Sequence, residues 1–524
     1  MSERTNYIHF AHQLVTSSKW TTISTAFVIA SILGSTQVFS LYSVKMKKNL
    51  HYSQLDLAIL MSGKEIGACS ILASLIAEKI PIRLLLIISS LLNLFGHFTL
   101  WVAVTGKIEK PELYQMFILL FVASASQKLA DVGSLLNCYK LIPDYQQINL
   151  LIKGYVALSG ALVVQIMFEM YSGDDSTYAL LVNAWLPTCV LMVCVFRMSD
   201  SHIDTENSED IIVLEKFKKI LTFTAVLMTI LSVYKPNKKF EKAGGFLVCV
   251  MMFLPYGVAI KNDLLVWKKM KVRPDEQFDQ VEEEAQKQSS VLAQLMDRKP
   301  RGSDFTILEA ISTLDFALIF LFSLLGLGAS TAAVDNMGQL AESMQNDRQI
   351  LGKIICLISC FKCLGRVCSD VLVKRNKART PLLLCIALLV STFGCFILVI
   401  PSGMYISALL IGFSSGAQKN LGFKIISEIF GKRNATNLSH FVQLATPIGC
   451  FLFNTVTGQI YDREANKLLG SSELKIKEEE LICIGIQCFQ ESIIIWSLAG
   501  FLGAAKCFWL YKRTNDFYSH RGDE

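Results

Sequence analysis

The amino-acid sequence predicts an all-α polytopic membrane protein of about fourteen transmembrane helices, arranged as two six-helix bundles with an inserted helix pair. Three observations carry this. Hydrophobic residues fill 52% of the 524 positions and charged residues only 18%, and the mean hydropathy is +0.43, too apolar for a water-soluble chain of this length. The apolar residues fall into stretches of about 20, the length an α-helix needs to cross hydrocarbon. One stretch in each half opens with Gly-Lys, at Gly63-Lys64 and Gly352-Lys353, and closes with an acid followed by bases, at Glu78-Lys79 and from Asp370 to Arg375.

Taken in order, residues 1–19 form a cytoplasmic N-terminus without a continuous apolar run, so no cleaved signal peptide is expected and insertion begins with the first helix. The N-terminal bundle occupies 20–198, with spans near 20–42, 57–77, 82–104, 113–136, 150–171 and 178–197. A polar segment and the inserted pair fill 199–260, the pair lying near 220–234 and 243–260; both are short and cross only if flanking lysines snorkel. The stretch 261–304, rich in Glu, Gln, Lys and Asp, reads as a cytoplasmic hydrophilic linker. The C-terminal bundle covers 305–511, with spans near 315–334, 350–373, 381–400, 404–423, 438–460 and 488–511, and 512–524 form a cytoplasmic tail.

An even number of crossings puts both termini on one side, and the basic loops around Lys374, Arg375, Lys432, Arg433, Lys512 and Arg513 make that side cytoplasmic. Lys45, Lys47 and Lys48 fall opposite, so the C-terminal half is the better oriented. The net charge of +6 is accounted for by these loops and shows no basic, aromatic-laced face for nucleic acid. The fifteen cysteines are scattered through apolar segments and say little about redox compartment. Cys356, Cys360 and Cys363 share a helical face without a nearby His or acid, which reads as helix packing, and neither a metal nor a cofactor is expected. Cys483 and Cys488 can pair only if the backbone between them is not regular helix. The chain lacks Walker, HExxH, GxSxG and EF-hand patterns, so enzymatic hydrolysis and ATP-driven transport have no support.

Charges inside apolar segments are the functional signal, because a charge at the bilayer centre is costly and faces a protein interior or a water-filled path. Arg366 and Asp370 lie four apart on one helical face and can pair, with Gly365 allowing a neighbouring helix to approach. Glu78 and Arg83 form a weaker copy in the first half. Lys128 and Asp131 are spaced to neutralise each other, and a lone His97 reads as hydrogen-bonded packing. Glu65, next to Lys64, is expected to point elsewhere, neighbouring helical residues being about 100° apart. Counting back at about 1.5 Å per residue puts Lys64 roughly 21 Å from the cytoplasmic helix end and Lys353 roughly 25 Å, so the two Gly-Lys openings are not a symmetric pair.

The Gly365-Arg366, Asp370 and Lys374-Arg375 pattern resembles the signature loop of major facilitator transporters. Further segments are similar to the plant nodulin-like branch of that superfamily: Gly63-Lys64-Glu65-Ile66-Gly67, Lys153 to Ser159, Asp335-Asn336-Met337-Gly338-Gln339, Ser427 to Gly431, Pro447-Ile448-Gly449 and Ile460 to Ala465. The resemblance implies the major facilitator fold and a secondary active transporter working by alternating access on a substrate or proton gradient. Lys64, Lys419, Gln418, Gln339 and Lys153 are then the substrate-binding candidates. Arg366, Asp370, Glu78 and Arg83 are the gating candidates. Lys419 and Lys424 depart from the residues expected in the family; Glu428 offers Lys424 an ion pair four residues on, whereas Lys419 has no acid at that spacing. Lysines in the path favour a small organic anion, such as a monocarboxylate. The rival reading is a non-transporting sensor that keeps the carrier fold.

Overall fold

The computed structural model describes residues 19–34, 36–142, 145–171, 175–198, 208–234, 238–270, 299–345, 348–375, 380–471 and 483–522. The residues before Lys19, residues 199–207 of the polar segment and residues 271–298 of the expected linker lie outside them. The described residues form helices and no strands, and ten helical stretches are long and apolar enough to cross a membrane. The chain is an integral, multi-pass membrane protein.

The first expected span is broken. α1 (Lys19–Ile32) and α2 (Phe39–Asn49) are separated where Gly34 lies against the backbone of Ser159, too close for a side chain. Gln37 in this break donates to the Val156 carbonyl at 2.6 Å. Helix propensity is poor through Gly34, Ser35 and Thr36, and Gly34 is buried inside protein, where a membrane protein tolerates non-helical backbone. The second crossing is α3 (Gln54–Gly67) followed by α4 (Ser70–Ala77). Ser53 caps α3, its hydroxyl accepting from Asp56 N while the Asp56 carboxylate accepts from Ser53 N, both at 3.0 Å. Gly63 and Gly67 let α3 press on Phe117 and Phe121 of α6 (Leu113–Tyr139), which explains the glycines flanking Lys64 and Glu65.

α5 (Ile82–Val104), α7 (Tyr145–Tyr171) and α8 (Tyr178–Val195) complete the N-terminal half. α5 exposes Leu84, Leu91, Leu94, Phe95 and Phe98, an apolar stripe at helical spacing facing lipid. α9 (Ser208–Val233), α10 (Lys238–Met252) and α11 (Leu254–Met270) are the inserted elements. Leu221 of α9 fills the space over Gly154, and Tyr256 of α11 bonds Thr25 of α1 at 2.7 Å. The chain turns at Phe253 because Pro255 has no N–H to continue α10.

The C-terminal half begins with α12 (Ile307–Ile311) and α13 (Leu314–Phe322), runs through a π-helical turn at Ser323–Leu327 into α14 (Gly328–Asp335), and continues as α15 (Met337–Ser343). α16 (Arg348–Arg375), α17 (Thr380–Ile397), α18 (Met404–Ile429), α19 (Ala435–Gln443), α20 (Ala445–Ser471) and α21 (Gln487–Gly522) follow. α17 carries the counterpart of the α5 stripe, exposing Ile386, Leu389, Phe393 and Phe396. α16 and α18 are not among the ten apolar stretches because they carry charges in mid-helix. Cys483 and Cys488 form a disulfide; residues 483–486 are non-helical, which is the condition the sequence set.

Each crossing reverses direction, which defines two faces. At the near face Lys19 pairs with Asp210 at 2.6 Å, Arg83 Nε donates to the Met198 carbonyl at 2.8 Å, and Tyr518 donates to Glu428 at 2.9 Å. At the far face Asn49 donates to the Val104 carbonyl at 2.8 Å and Gly485 N to the Ser343 carbonyl at 2.9 Å.

Candidate functional site

A cavity of about 240 Å³ lies between the two halves. Its lining starts at Thr36, Gln37, Glu65 and Asp335 in the middle of the molecule and reaches the near-face ends of α7, α18 and α19 at Asn149, Ile426 and Ser439. The helix break at Thr36 and the π-turn residues Ser323 and Leu327 both contribute to it, so irregular backbone occurs where it borders the path.

On the far side the halves are sealed. Asp462 of α20 accepts hydrogen bonds from the Gln54 and Leu55 amides at 2.9 and 3.0 Å, capping the N-terminus of α3 from the opposite half. The Gln54 amide donates to Asn336 at 3.1 Å, which donates to Asn454 at 2.8 Å; Lys47 reaches Gln54 at 2.9 Å and Lys48 pairs with Glu342 at 2.6 Å. Gly338 against the Ser40 carbonyl and Gly458 against Leu55 remove the last gap. Gln339, a substrate-binding candidate, belongs to this seal: it donates to Ser43 at 2.9 Å and does not line the cavity.

Lys64 is fully buried behind the cavity wall. Its ammonium contacts Asp335 Oδ1 of the C-terminal half at 2.5 Å and Glu65 Oε1 at 2.8 Å, and it lies 5.0 Å from the centre of the Phe39 ring. The expectation that Lys64 and Glu65 point apart needs correcting: their Cβ vectors diverge, yet the four-carbon lysine stem folds back far enough to meet the carboxylate. Glu65 and Asp335 line the cavity and Lys64 does not.

The bases of the N-terminal wall are paired within that wall. Asp131 takes Lys153 at 2.6 Å and Lys128 at 3.0 Å, so the expected Lys128 contact is present with a second base added. The C-terminal wall differs. Lys362 and Arg366, one helical turn apart on α16, and Lys419 on α18 line the cavity, and no carboxylate among the described residues lies within ion-pairing distance of any of them. Lys419 lies deep in the molecule, yet its side chain is exposed to the cavity. Arg366 Nε and Gln418 Oε1 are buried without a hydrogen-bond partner. These helices touch because Gly365 abuts the Phe413 carbonyl, Gly412 the Ile358 carbonyl and Gly416 the Lys362 carbonyl, so any side chain at those glycines collides with backbone. Five bases line the cavity against three acids.

The expected Arg366–Asp370 contact is absent. Asp370 turns to the inserted helix, meeting Lys218 of α9 at 3.3 Å, and to Lys374 at 3.5 Å. Glu215 joins them, 2.6 Å from Lys218 and 3.0 Å from Lys374. The long-range base of α9 outcompetes the local one because Arg366 points inward from the same helix. Glu78 is exposed at the near face and Arg83 is held by a carbonyl, so these two are not brought together. Lys362 and Asp335 are the site residues the sequence reading did not single out. Lys362 is legible as one turn before Arg366; Asp335 lies 271 residues from Lys64, beyond any local pattern.

Residues 19–260 match the Nodulin-like family model and residues 305–520 the "NFD4, C-terminal domain" model. The protein NUCLEAR FUSION DEFECTIVE 4 of Arabidopsis thaliana is 24% identical over 96% of this chain and 90% of its own. Among solved structures, a D-xylose–proton symporter superposes with a TM-score of 0.55 at 12% identity, covering 93% of this chain and 96% of the other. An inward-facing, unoccupied bacterial homologue of the human lysosomal transporter Spinster gives 0.54 at 9%, covering 94% and 96%. The fold is that of major facilitator transporters, and the chain carries a Nodulin-like domain followed by an NFD4 C-terminal domain.

Proposed function

We propose that this nodulin-like protein is a secondary active transporter that moves a small organic anion by alternating access, and that the anion sits on Lys362, Arg366 and Lys419. The observation that carries this reading is the group of three bases on one cavity wall without a carboxylate among them. Like charges gathered in a low-dielectric interior repel, and a bound anion relieves that repulsion. A guanidinium grips a carboxylate in two-point fashion while the two ammonium groups act as mobile point charges. Gln418, with a free carbonyl oxygen, is placed to accept from a hydroxyl or protonated group of the same solute.

In this reading Lys153 supports the opposite wall through Asp131. Lys64 and Gln339 act in joining the halves rather than in touching the solute. The two halves are six-helix bundles that rock about the cavity, the near face is cytoplasmic, and the described conformation has its far face shut. No nucleotide-binding motif occurs in the sequence, so a solute or proton gradient supplies the driving force.

The test is uptake into proteoliposomes from a panel of small mono- and dicarboxylates, with neutral sugars and organic cations as comparison. The reading expects flux for at least one anion and its loss in Arg366→Ala and Lys419→Ala. Transport of a neutral solute or a cation that survives both substitutions contradicts it.

A further inference from the structure

We infer that Asp335 and Glu65, sharing the single ammonium of Lys64, form the proton-binding site that links proton uptake to opening of the far face. The inference rests on the transporter reading for its meaning but not for its test. One lysine lies between two carboxylates, at 2.5 Å from Asp335 and 2.8 Å from Glu65, so the buried trio carries one negative charge more than it neutralises. Asp335 Oδ2 is buried and makes no close hydrogen bond, with only the Asn454 amide beside it. An ionised oxygen left bare in that position is unfavourable, and a proton on it removes the surplus charge. Both acids border the cavity, which gives the proton a path from water, while the ammonium occupies the place a metal cation would need.

Other titratable groups face the trio, and two of them are bases that offset part of its surplus charge. Tyr42 of α2, Lys362 of α16, Lys419 of α18 and Cys450 of α20 face the trio. α17 contributes Ser391, bonded to Ser330 of α14 at 2.6 Å. On α15, Glu342 is taken by Lys48, and on α21 Glu491 is on Arg463, Lys506 lies over the Trp509 ring, Cys507 donates to the Pro381 carbonyl and Arg513 is on Asp315.

Position supplies the coupling. Lys64 belongs to the N-terminal half and Asp335 to the C-terminal half, and the residue after Asp335 is Asn336 of the far seal. A proton added to the Asp335 carboxylate turns an ionic contact between halves into a neutral one. Lys64 keeps Glu65, its neighbour on the same helix, and the halves are free to part at the far face.

The experiment needs no substrate: hydrogen–deuterium exchange of the full-length protein in nanodiscs, read on far-seal peptides spanning residues 40–60 and 336–345 and corrected for intrinsic exchange rates. At fixed pD, Asp335→Asn mimics the protonated acid and should raise far-seal exchange by about tenfold. Wild type should show the same rise between pD 7.5 and 5.5, Asp335→Asn should be flat, and adding sodium should change neither. Glu65→Gln shifts the pD at which wild-type behaviour switches and, should Asp335→Asn fail to fold, supplies the test alone. A far seal whose exchange ignores pD in wild type, or still follows it in Asp335→Asn, overturns the inference. A proton-gated seal in a protein that carries no anion sinks the transport reading alone; anion flux with a seal indifferent to pD sinks only this one.

Discussion

The two walls of the cavity come from helices of opposite halves and both carry bases, yet they treat charge in opposite ways. On the N-terminal wall Asp131 receives both Lys153 and Lys128, so that wall arrives already satisfied. On the C-terminal wall Lys362, Arg366 and Lys419 stand together without an acid, because the one acid a turn away, Asp370, is drawn off by Lys218 of the inserted helix. A satisfied wall stabilises the fold, and in the proposed reading the unsatisfied one receives the ligand. The inserted helix pair therefore does more than lengthen the chain: it keeps Asp370 from cancelling Arg366.

The sharpest way to break this contrast is to make the first wall resemble the second. Asp131→Asn leaves Lys128 and Lys153 without their partner, and removing one side of a buried pair costs about 3 kcal/mol or more. The melting temperature in detergent should fall steeply, and adding Lys153→Met should restore part of it. Next in size, Arg366→Ala removes charge-assisted hydrogen bonds worth about 1.5–3 kcal/mol, roughly a tenfold to hundredfold loss of anion binding by isothermal titration, with little change in melting temperature. The same substitution on the other wall, at Lys153, should move stability more than binding.

Gly416→Val drives a branched side chain into the Lys362 carbonyl and should cost about 1–3 kcal/mol by overpacking, weakening anion binding by splaying the two helices that carry the bases. Asp462→Asn removes the charge at the N-terminus of α3 and one of the two accepting oxygens, leaving an amide N–H against a backbone donor, about 1–3 kcal/mol, and should show as faster exchange in residues 54–57.

The smallest effect is expected from acid at the near-face clamp. Burial pushes the Glu215 carboxyl up, but hydrogen bonds from Lys218 and Lys374 outweigh it and hold the group below its ordinary value. A carboxylate with a lowered folded-state value adds stability above its unfolded-state value, and that stability is lost as pH falls through the folded one. Acid below the ordinary glutamate value, and not milder acid, should therefore loosen α9 slightly from α16 in wild type and not in Glu215→Gln, seen as near-face exchange.

Much of the helical layout was legible because span length and hydropathy are local properties. The expected span 82–104 coincides with α5, and 113–136 falls three residues short of the end of α6. The break at Gly34 was missed since its cause, the backbone of Ser159, lies 125 residues along the chain. Site residues divide in the same way. Lys419 stands out by the absence of an acid at helical spacing, and among the described residues no acid lies within ion-pairing distance of it, although Glu65 faces it across the cavity. The same rule allows Arg366 to pair with Asp370, and in this conformation Asp370 meets Lys218 of α9 instead. Lys64 was singled out by depth, but depth does not tell a cavity-facing base from one that bridges two halves; Asp335 decides that, and it is distant in sequence.

Direct binding of small carboxylates to the purified full-length protein, wild type against the Lys362→Ala, Arg366→Ala, Lys419→Ala triple variant, tests the central claim most directly. The account predicts that wild type binds at least one of them, that the triple variant does not, and that its melting temperature is unchanged or higher because three mutually repelling charges have gone. Anion binding retained by the triple variant, or a collapse of its fold, contradicts the assignment of that wall as a waiting anion site.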